Sequence, residues 1–184
     1  MDDDVLARLV ATDLRRNLLA RAPHVRDVYA FCLWVDDFNG YFLGSFATEA
    51  EFERHRRAPH YASKPDEVLR GPGGIRWSVG YWHKFPDDDF VTDETTAALE
   101  DLNPSRDDTL DEAATEAQCA RFRELAFSVF ELARPLDLLP CTSGAIAYVQ
   151  FAGTTTEEQL EVMARTVPAS RLEAAFPGWG WRGQ

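Results

Sequence analysis

"DVYAFCLWVDDFNGYFLGSFAT", residues 27–48, decides the fold. Its first half, "DVYAFCLWVDD" (27–37), is almost continuously apolar and rich in aromatic and β-branched residues, the composition of a strand covered on both faces. "FNG" (38–40) is a turn signal, and "YFLGSFAT" (41–48) reads as the returning strand of a hairpin. A strand with two dry faces needs helices on each side of its sheet, and the flanking sequence supplies them.

Upstream, Val5, Leu6, Leu9, Val10, Leu14, Leu18 and Leu19 fall at helical spacing, and Pro23 ends that helix. Downstream, Thr48 and Glu51 have the spacing of a capping box, and "EAEFERHRRA" supplies a short helix that stops before Pro59. Proline, glycine and charge dominate residues 59–73, a loop ending in "RGPGG". Residues 74–80 read as a third strand, with Ile75, Trp77 and Val79 on one face and Arg76 and Ser78 on the other.

A helix capped near Thr92 or Asp93 follows, then a longer one over roughly 109–134, whose core stripe is Phe122, Leu125, Ala126, Val129, Phe130 and Ala133 and which Pro135 ends. "GAIAYVQFA" (144–152) reads as the fourth strand, and "TTTEEQLEVMART" as a helix capped by Thr154 or Thr155. A short helix near 168–175 precedes the tail "FPGWGWRGQ". The order α-β-β-α-β-α-α-β-α-α predicts one α+β domain over residues 1–184, with a mixed or mainly antiparallel sheet of about four strands packed by several helices. The regular βαβ alternation of a doubly wound nucleotide fold is absent.

At 184 residues and 45% hydrophobic content the chain can bury a full core without staples. No stretch reaches the roughly 20 uninterrupted apolar residues of a membrane span. The start "MDDDVLARLVATDLRR" is acidic where a secretory signal is basic, so a cytoplasmic protein with no membrane partner is expected. Cys32, Cys119 and Cys141 are far apart and odd in number, which suggests neither a disulfide framework nor a zinc knuckle.

The net charge of −12 is concentrated in one place. Residues 1–86 carry 12 Lys/Arg and 12 Asp/Glu, and residues 117–184 carry 6 and 7. Residues 87–116 hold 12 acids against Arg106 alone. Such a field repels phosphate backbones and attracts basic surfaces, so a nucleic-acid partner is not expected.

The familiar chemistries find little support. His55 and His60 are five apart, off a common helix face, and no H-E-x-x-H or H-x-H occurs among His24, His55, His60 and His83. "DDDFVTDETT" lacks the glycine and terminal glutamate of a calcium loop, and "GPGG" (71–74) lacks the Lys-Ser/Thr of a phosphate loop and leads into a strand. Cys141, Thr142 and Ser143 in "PCTSG" precede a strand, where an activated nucleophile would sit between a strand and a helix. No cofactor and no metal are expected, and the balance leans away from an enzyme.

"GIRWSVGYWHKFPDDD" (74–89) is the densest mixture of aromatic and titratable residues. It divides into a strand, an aromatic exit through Tyr81, Trp82, His83 and Phe85, and the start of the acidic segment. Tryptophan beside charge also describes an interface hot spot. The candidate partner-binding residues are therefore Trp82, His83, Asp87, Asp88, Asp89, Asp93, Asp107 and Asp108.

"VYAFCLWVDDFNGYFLGSFATEAEF", followed after a loop by "IRWSVGYWHKF" and "FVTDETTAALEDL", resembles a bacterial domain-of-unknown-function family, number 4303, over roughly residues 1–170. The resemblance implies an N-terminal helix, a Y-A-F-x-L strand, a second strand leading into a helix, and an R-W-S/T-x-x-x-W segment before further helices. It carries no catalytic residues onto this chain, and Tyr81 stands where members often have an acid. Small acidic single-domain proteins of this kind are similar to immunity proteins that neutralise toxins, an analogy of type and not of site. The expectation is a non-enzymatic protein-binding module whose partner is a basic toxin domain, met by residues 87–116. The alternative is a small-ligand binder or enzyme with an aromatic cleft around Trp77, Tyr81, Trp82 and His83.

Overall fold

The computed structural model describes residues 2–71, 74–84, 91–100, 102–103 and 109–177, apart from the side chains of Tyr81, His83, Lys84 and Thr156. The hairpin forms as its sequence predicts. Strand β1 (Val28–Asp36) runs antiparallel to β2 (Tyr41–Thr48), with Gly40 at φ +68° in the turn. Strand β4 (Cys141–Phe151) lies parallel to β1 on its other side, so the sheet is mixed. Three long strands carry it, fewer than the expected four or so. The remaining member, β3 (His83–Lys84), is a two-residue pairing on β2 that completes the order β3-β2-β1-β4.

Apart from Trp34, which is part-buried at the floor of a cleft, the central strand has no solvent face. Phe31, Leu33 and Val35 of β1, with Phe42 and Phe46 of β2 and Ala147, Val149 and Phe151 of β4, pack on the first side. There they meet Leu6, Val10, Leu14 and Leu18 of α1 (Asp3–Arg21), Leu99 of α4 (Asp93–Glu100) and the predicted stripe of α5 (Glu112–Ala133). Alternate residues, Ala30, Cys32 and Trp34 of β1 with Ile146 and Tyr148 of β4, point to the second side. That side is covered by α2 (Glu49–Arg56), α3 (Asp66–Arg70), the 75–82 segment, α6 (Thr156–Thr166) and α7 (Ala169–Ala175). The architecture is α+β, a sheet between two helical layers.

Local chemistry sets the helix boundaries. Thr48 Oγ1 accepts from the Glu51 amide at 3.3 Å to start α2, and Asp111 Oδ1 accepts from the Ala114 amide at 2.8 Å to start α5. Thr155 and Glu158 complete a reciprocal capping box on α6. Helix α5 stops where Arg134 turns left-handed at φ 48°, immediately before Pro135. Helix α3 lies inside the stretch expected to be loop.

The expected strand at 74–80 is instead a run of turns ending in a 3-10 turn, Val79–Tyr81. Local hydrogen bonds win there: the Trp77 amide donates to the Gly74 carbonyl at 3.0 Å and the Arg76 amide to that of Leu69 at 3.1 Å. Gly74 sits so close to the preceding turn that a Cβ would lie 2.4 Å from the Val68 carbonyl oxygen. Ile75 and Val79 still reach the core, so the apolar alternation is satisfied without a strand.

A buried charge fixes the first layer. Asp13, on α1 and only 3% exposed, accepts hydrogen bonds at Oδ2 from the Thr92 amide (2.8 Å), Thr92 Oγ1 (3.1 Å) and Thr95 Oγ1 (2.7 Å). Its other oxygen meets Arg16 at 3.0 Å. Thr92 in turn accepts from the Thr95 amide at 3.3 Å, so the N-terminus of α4 is tied to α1 through one carboxylate. No helix among the described residues is long and apolar enough to cross a membrane. Replacing Asp13 by Ala strands these donors in the core and should lower stability by about 2–4 kcal/mol. A urea titration would read this as a lower midpoint at unchanged slope; a midpoint equal to wild type would remove Asp13 as the anchor of α4.

Candidate functional site

The site on the second face begins with a bulge. Val28 pairs with Thr48 and Ala30 with Ala47, so two steps of β1 oppose one of β2, and Tyr29 is the extra residue. Its ring packs with Ala30 and Cys32 on the second side, where the Arg76 guanidinium lies 3.8 Å from the ring centroid. Arg76 is also 5.0 Å from the Phe52 ring and 5.6 Å from that of Trp77, and it grips Glu49 bidentately at 2.6 and 2.9 Å. The Arg76 carbonyl accepts from Tyr29 Oη at 2.7 Å and Trp82 Nε1 at 3.1 Å, while Trp77 Nε1 donates to the Arg70 carbonyl at 2.7 Å. Edge-to-face contacts at 5.8–6.2 Å join Tyr29 to Trp77 and Trp82, and Trp82 to Tyr148.

Beside this array a cleft of about 440 Å³ opens between the sheet, the 77–80 segment and α6. Its floor is Trp34 of β1 with Tyr148 and Gln150 of β4, residues whose alternation turns them away from the first core. Tyr41 stands beside Trp34 with ring centroids 5.3 Å apart, Trp77 meets Phe176 at 4.8 Å, and Ser78 and Gln159 add neutral polar groups. Gln159 Nε2 also donates to the Val149 carbonyl at 3.0 Å and Arg171 to that of Ala145, so side chains from α6 and α7 cover the edge of β4.

No carboxylate, imidazole or thiol occurs among the described residues lining the cleft. The Tyr148 phenol, pushed well above its ordinary pKa by burial, is a neutral hydrogen-bonding group at physiological pH. This is equipment for binding a neutral molecule. The "PCTSG" cluster lies at the start of β4 beside a second cavity of about 620 Å³, and burial raises the Cys141 thiol more than Arg171 lowers it. The cationic groups at that cavity are engaged: Arg134 with Asp137 at 2.9 Å, Arg165 with Glu124 at 2.9 Å, and Arg171 with the strand. Among the described residues no three His, Cys, Asp or Glu side chains gather as a metal site.

Of the residues singled out from sequence, the described ones are dispersed. Trp82 is 6% exposed and its N–H is spent inside the fold, so it packs the core. His83 pairs with Phe46 through its backbone. Asp93 is exposed at the start of α4, on the other side of the sheet from Trp82. Asp87, Asp88, Asp89, Asp107 and Asp108 lie outside the described residues. Trp77 does line the cleft, but its companions Trp34, Tyr148 and Gln150 were not anticipated. Their signal was a glutamine inside the apolar run "AIAYVQF", at the same alternation as the tyrosine.

No family model matches the chain, and no curated protein or solved structure shows significant similarity to it.

The Arg76 grip makes a pH prediction. Its hydrogen bond holds the Glu49 carboxyl below the ordinary value, against the smaller opposing effect of burial. A depressed carboxylate stabilises the fold above its unfolded pKa, and the contribution is lost as pH falls through the folded value. Glu49→Gln should therefore lower the urea midpoint at pH 7 and converge with wild type at about pH 3. The difference should stay within about 1 kcal/mol, because Glu49 is 39% exposed and water screens the pair.

Proposed function

We propose that the chain is a non-enzymatic, cytoplasmic protein-binding module of the immunity type, related to family 4303, whose partner is a basic toxin domain met by the 87–116 segment. The observation that carries this reading is the concentration of charge: 12 acids against one arginine in thirty residues of an otherwise nearly neutral chain. Asp93 and Glu94 of α4 and Asp111, Glu112 and Glu116 at the start of α5 are all exposed. Elsewhere arginines meet acids, as in Arg121 with Asp3 at 2.6 Å, Arg56 with Asp66 at 2.7 Å and Arg165 with Glu124 at 2.9 Å. Among the described residues Asp93, Glu94 and Glu112 form no ion pair, whereas Glu116 pairs with Arg123 at 3.2 Å.

A field left uncompensated in this way accelerates encounter with a basic surface and fades with salt. Three unpaired thiols, Cys32, Cys119 and Cys141, suit a reducing compartment. The test takes the product of a neighbouring toxin gene as partner and measures association by surface plasmon resonance. Asp93→Lys/Glu94→Lys/Glu112→Lys should slow association about tenfold or more at low salt in a protein that still folds, with a lower melting temperature because three acids favoured in helix first turns are reversed. Raising salt from about 50 to 500 mM should slow wild-type association similarly with no substitution at all. Association indifferent to both would overturn the reading.

A further inference from the structure

We infer that the cleft between β4, the 77–80 segment and α6 is a binding site for an uncharged heteroaromatic ring carrying a donor and an acceptor on one edge, the chemistry of a free nucleobase or nucleoside. This goes beyond the proposed partner surface and is independent of it, since the acids of α4 and α5 belong to the other side of the sheet.

Tyr148 points to a ligand. It is only 2% exposed, it lines the cleft, and its hydroxyl has no hydrogen-bond partner among the described residues. The ring is packed in the core, while the hydroxyl oxygen itself keeps contact with the cleft surface, where an entering ligand can meet it. Two residues along the same strand, Gln150 accepts weakly from Cys32 Sγ at 3.9 Å, and its NH₂ has no protein partner among the described residues. The Ser78 hydroxyl across the cleft is in the same state. A hydroxyl, a planar amide and a second hydroxyl thus line one space with most of their hydrogen-bonding capacity unspent.

The walls choose the kind of molecule. Trp34, Tyr41, Trp77 and Phe176 present aromatic faces and edges, which suit a flat conjugated ring. The amide of Gln150 offers coplanar donor and acceptor, the match for a lactam or amidine edge. No charged side chain lines the cleft among the described residues, so a phosphate, carboxylate or ammonium entering it would lose hydration without a counter-charge. The chain's charge of −12 adds repulsion against phosphorylated forms. The volume, about 440 Å³, falls in the range of small-molecule sites.

The experiment uses the whole chain and the indoles already at the site. Adenosine, guanosine, cytidine and uridine are titrated with tryptophan fluorescence as readout, alongside their 5′-monophosphates and the neutral sugars glucose and trehalose, and saturation-transfer NMR on wild type gives a second readout needing no variant. At least one nucleoside should quench saturably with a dissociation constant between about 10 μM and 1 mM, and its monophosphate should bind more weakly. Tyr148→Phe and Gln150→Leu should each weaken it about tenfold, while Tyr148→Phe melts close to the wild-type temperature because the hydroxyl it deletes makes no hydrogen bond among the described residues. Absence of saturation by every nucleoside up to about 5 mM in both readouts, or binding of sugars in their place, would overturn the inference. So would a Tyr148→Phe protein that binds as well as wild type.

Discussion

Strand β1 sits between an antiparallel neighbour and a parallel one, with both faces covered except where Trp34 meets the cleft, and the rest of the chain is arranged around that demand. Eight of its nine residues are apolar, so neither face can be left to water without a cost of roughly 25 cal/mol for each square ångström exposed. A hairpin supplies one neighbour cheaply. The parallel partner requires a long crossover, and this chain spends residues 49–140 on it, building helices on both faces before β4 arrives. Two separate cores follow, one behind each face, and the sheet is the common wall that keeps them apart.

The bulge at Tyr29 converts this arrangement into a site. With regular pairing through residue 28, strict alternation would send Tyr29 to the α1/α5 side along with Phe31. The extra residue places it beside Ala30, and Arg76 becomes the hub of the second face, stacked on aromatic rings and clamped by Glu49. Its backbone carbonyl binds Tyr29 and Trp82 at once, so the 75–82 segment is held to the sheet by one residue acting through side chain and main chain together. Trp77 is thereby fixed over the end of the cleft. A segment with no regular secondary structure acquires the rigidity that a binding wall needs, from hydrogen bonds and cation–π contact instead of from a ladder.

Much of the fold was legible in the sequence because its signals are local. The two-faced strand, the turn at 38–40, the α5 stripe and the threonine caps each express a preference that the tertiary structure leaves alone. The misreading at 74–80 shows where locality misleads: Ile75, Trp77 and Val79 alternate as a strand would, yet successive turns bury the same side chains, and alternation alone does not say which backbone hydrogen bonds are made. The site was less legible still. Asp13 looks like an ordinary polar position on an amphipathic helix until Thr92 and Thr95 arrive from a distant segment. Trp34 meets Tyr148 and Gln150 only through the parallel pairing of β1 and β4, across more than a hundred residues of sequence. Trp82 and Trp77 look equivalent in "RWSVGYW", and only their packing assigns one to the core and the other to the cleft wall.

The two surfaces also differ in what maintains them. Asp93, Glu94 and Glu112 stand in the first turns of α4 and α5, where the helix dipole favours a carboxylate by about 0.3–1 kcal/mol each, so an acidic surface there carries little structural penalty. Folding alone can therefore retain those acids. The cleft is the opposite case. Beyond one weak contact from Cys32 Sγ to Gln150, the phenol and the amide at its floor make no side-chain hydrogen bond among the described residues, and phenylalanine and leucine would fill the same volume. Features that folding favours need no further reason for being present, whereas polar groups that folding does not reward call for one, and on that criterion Tyr148 and Gln150 carry more functional weight than any single acid of the charged segment.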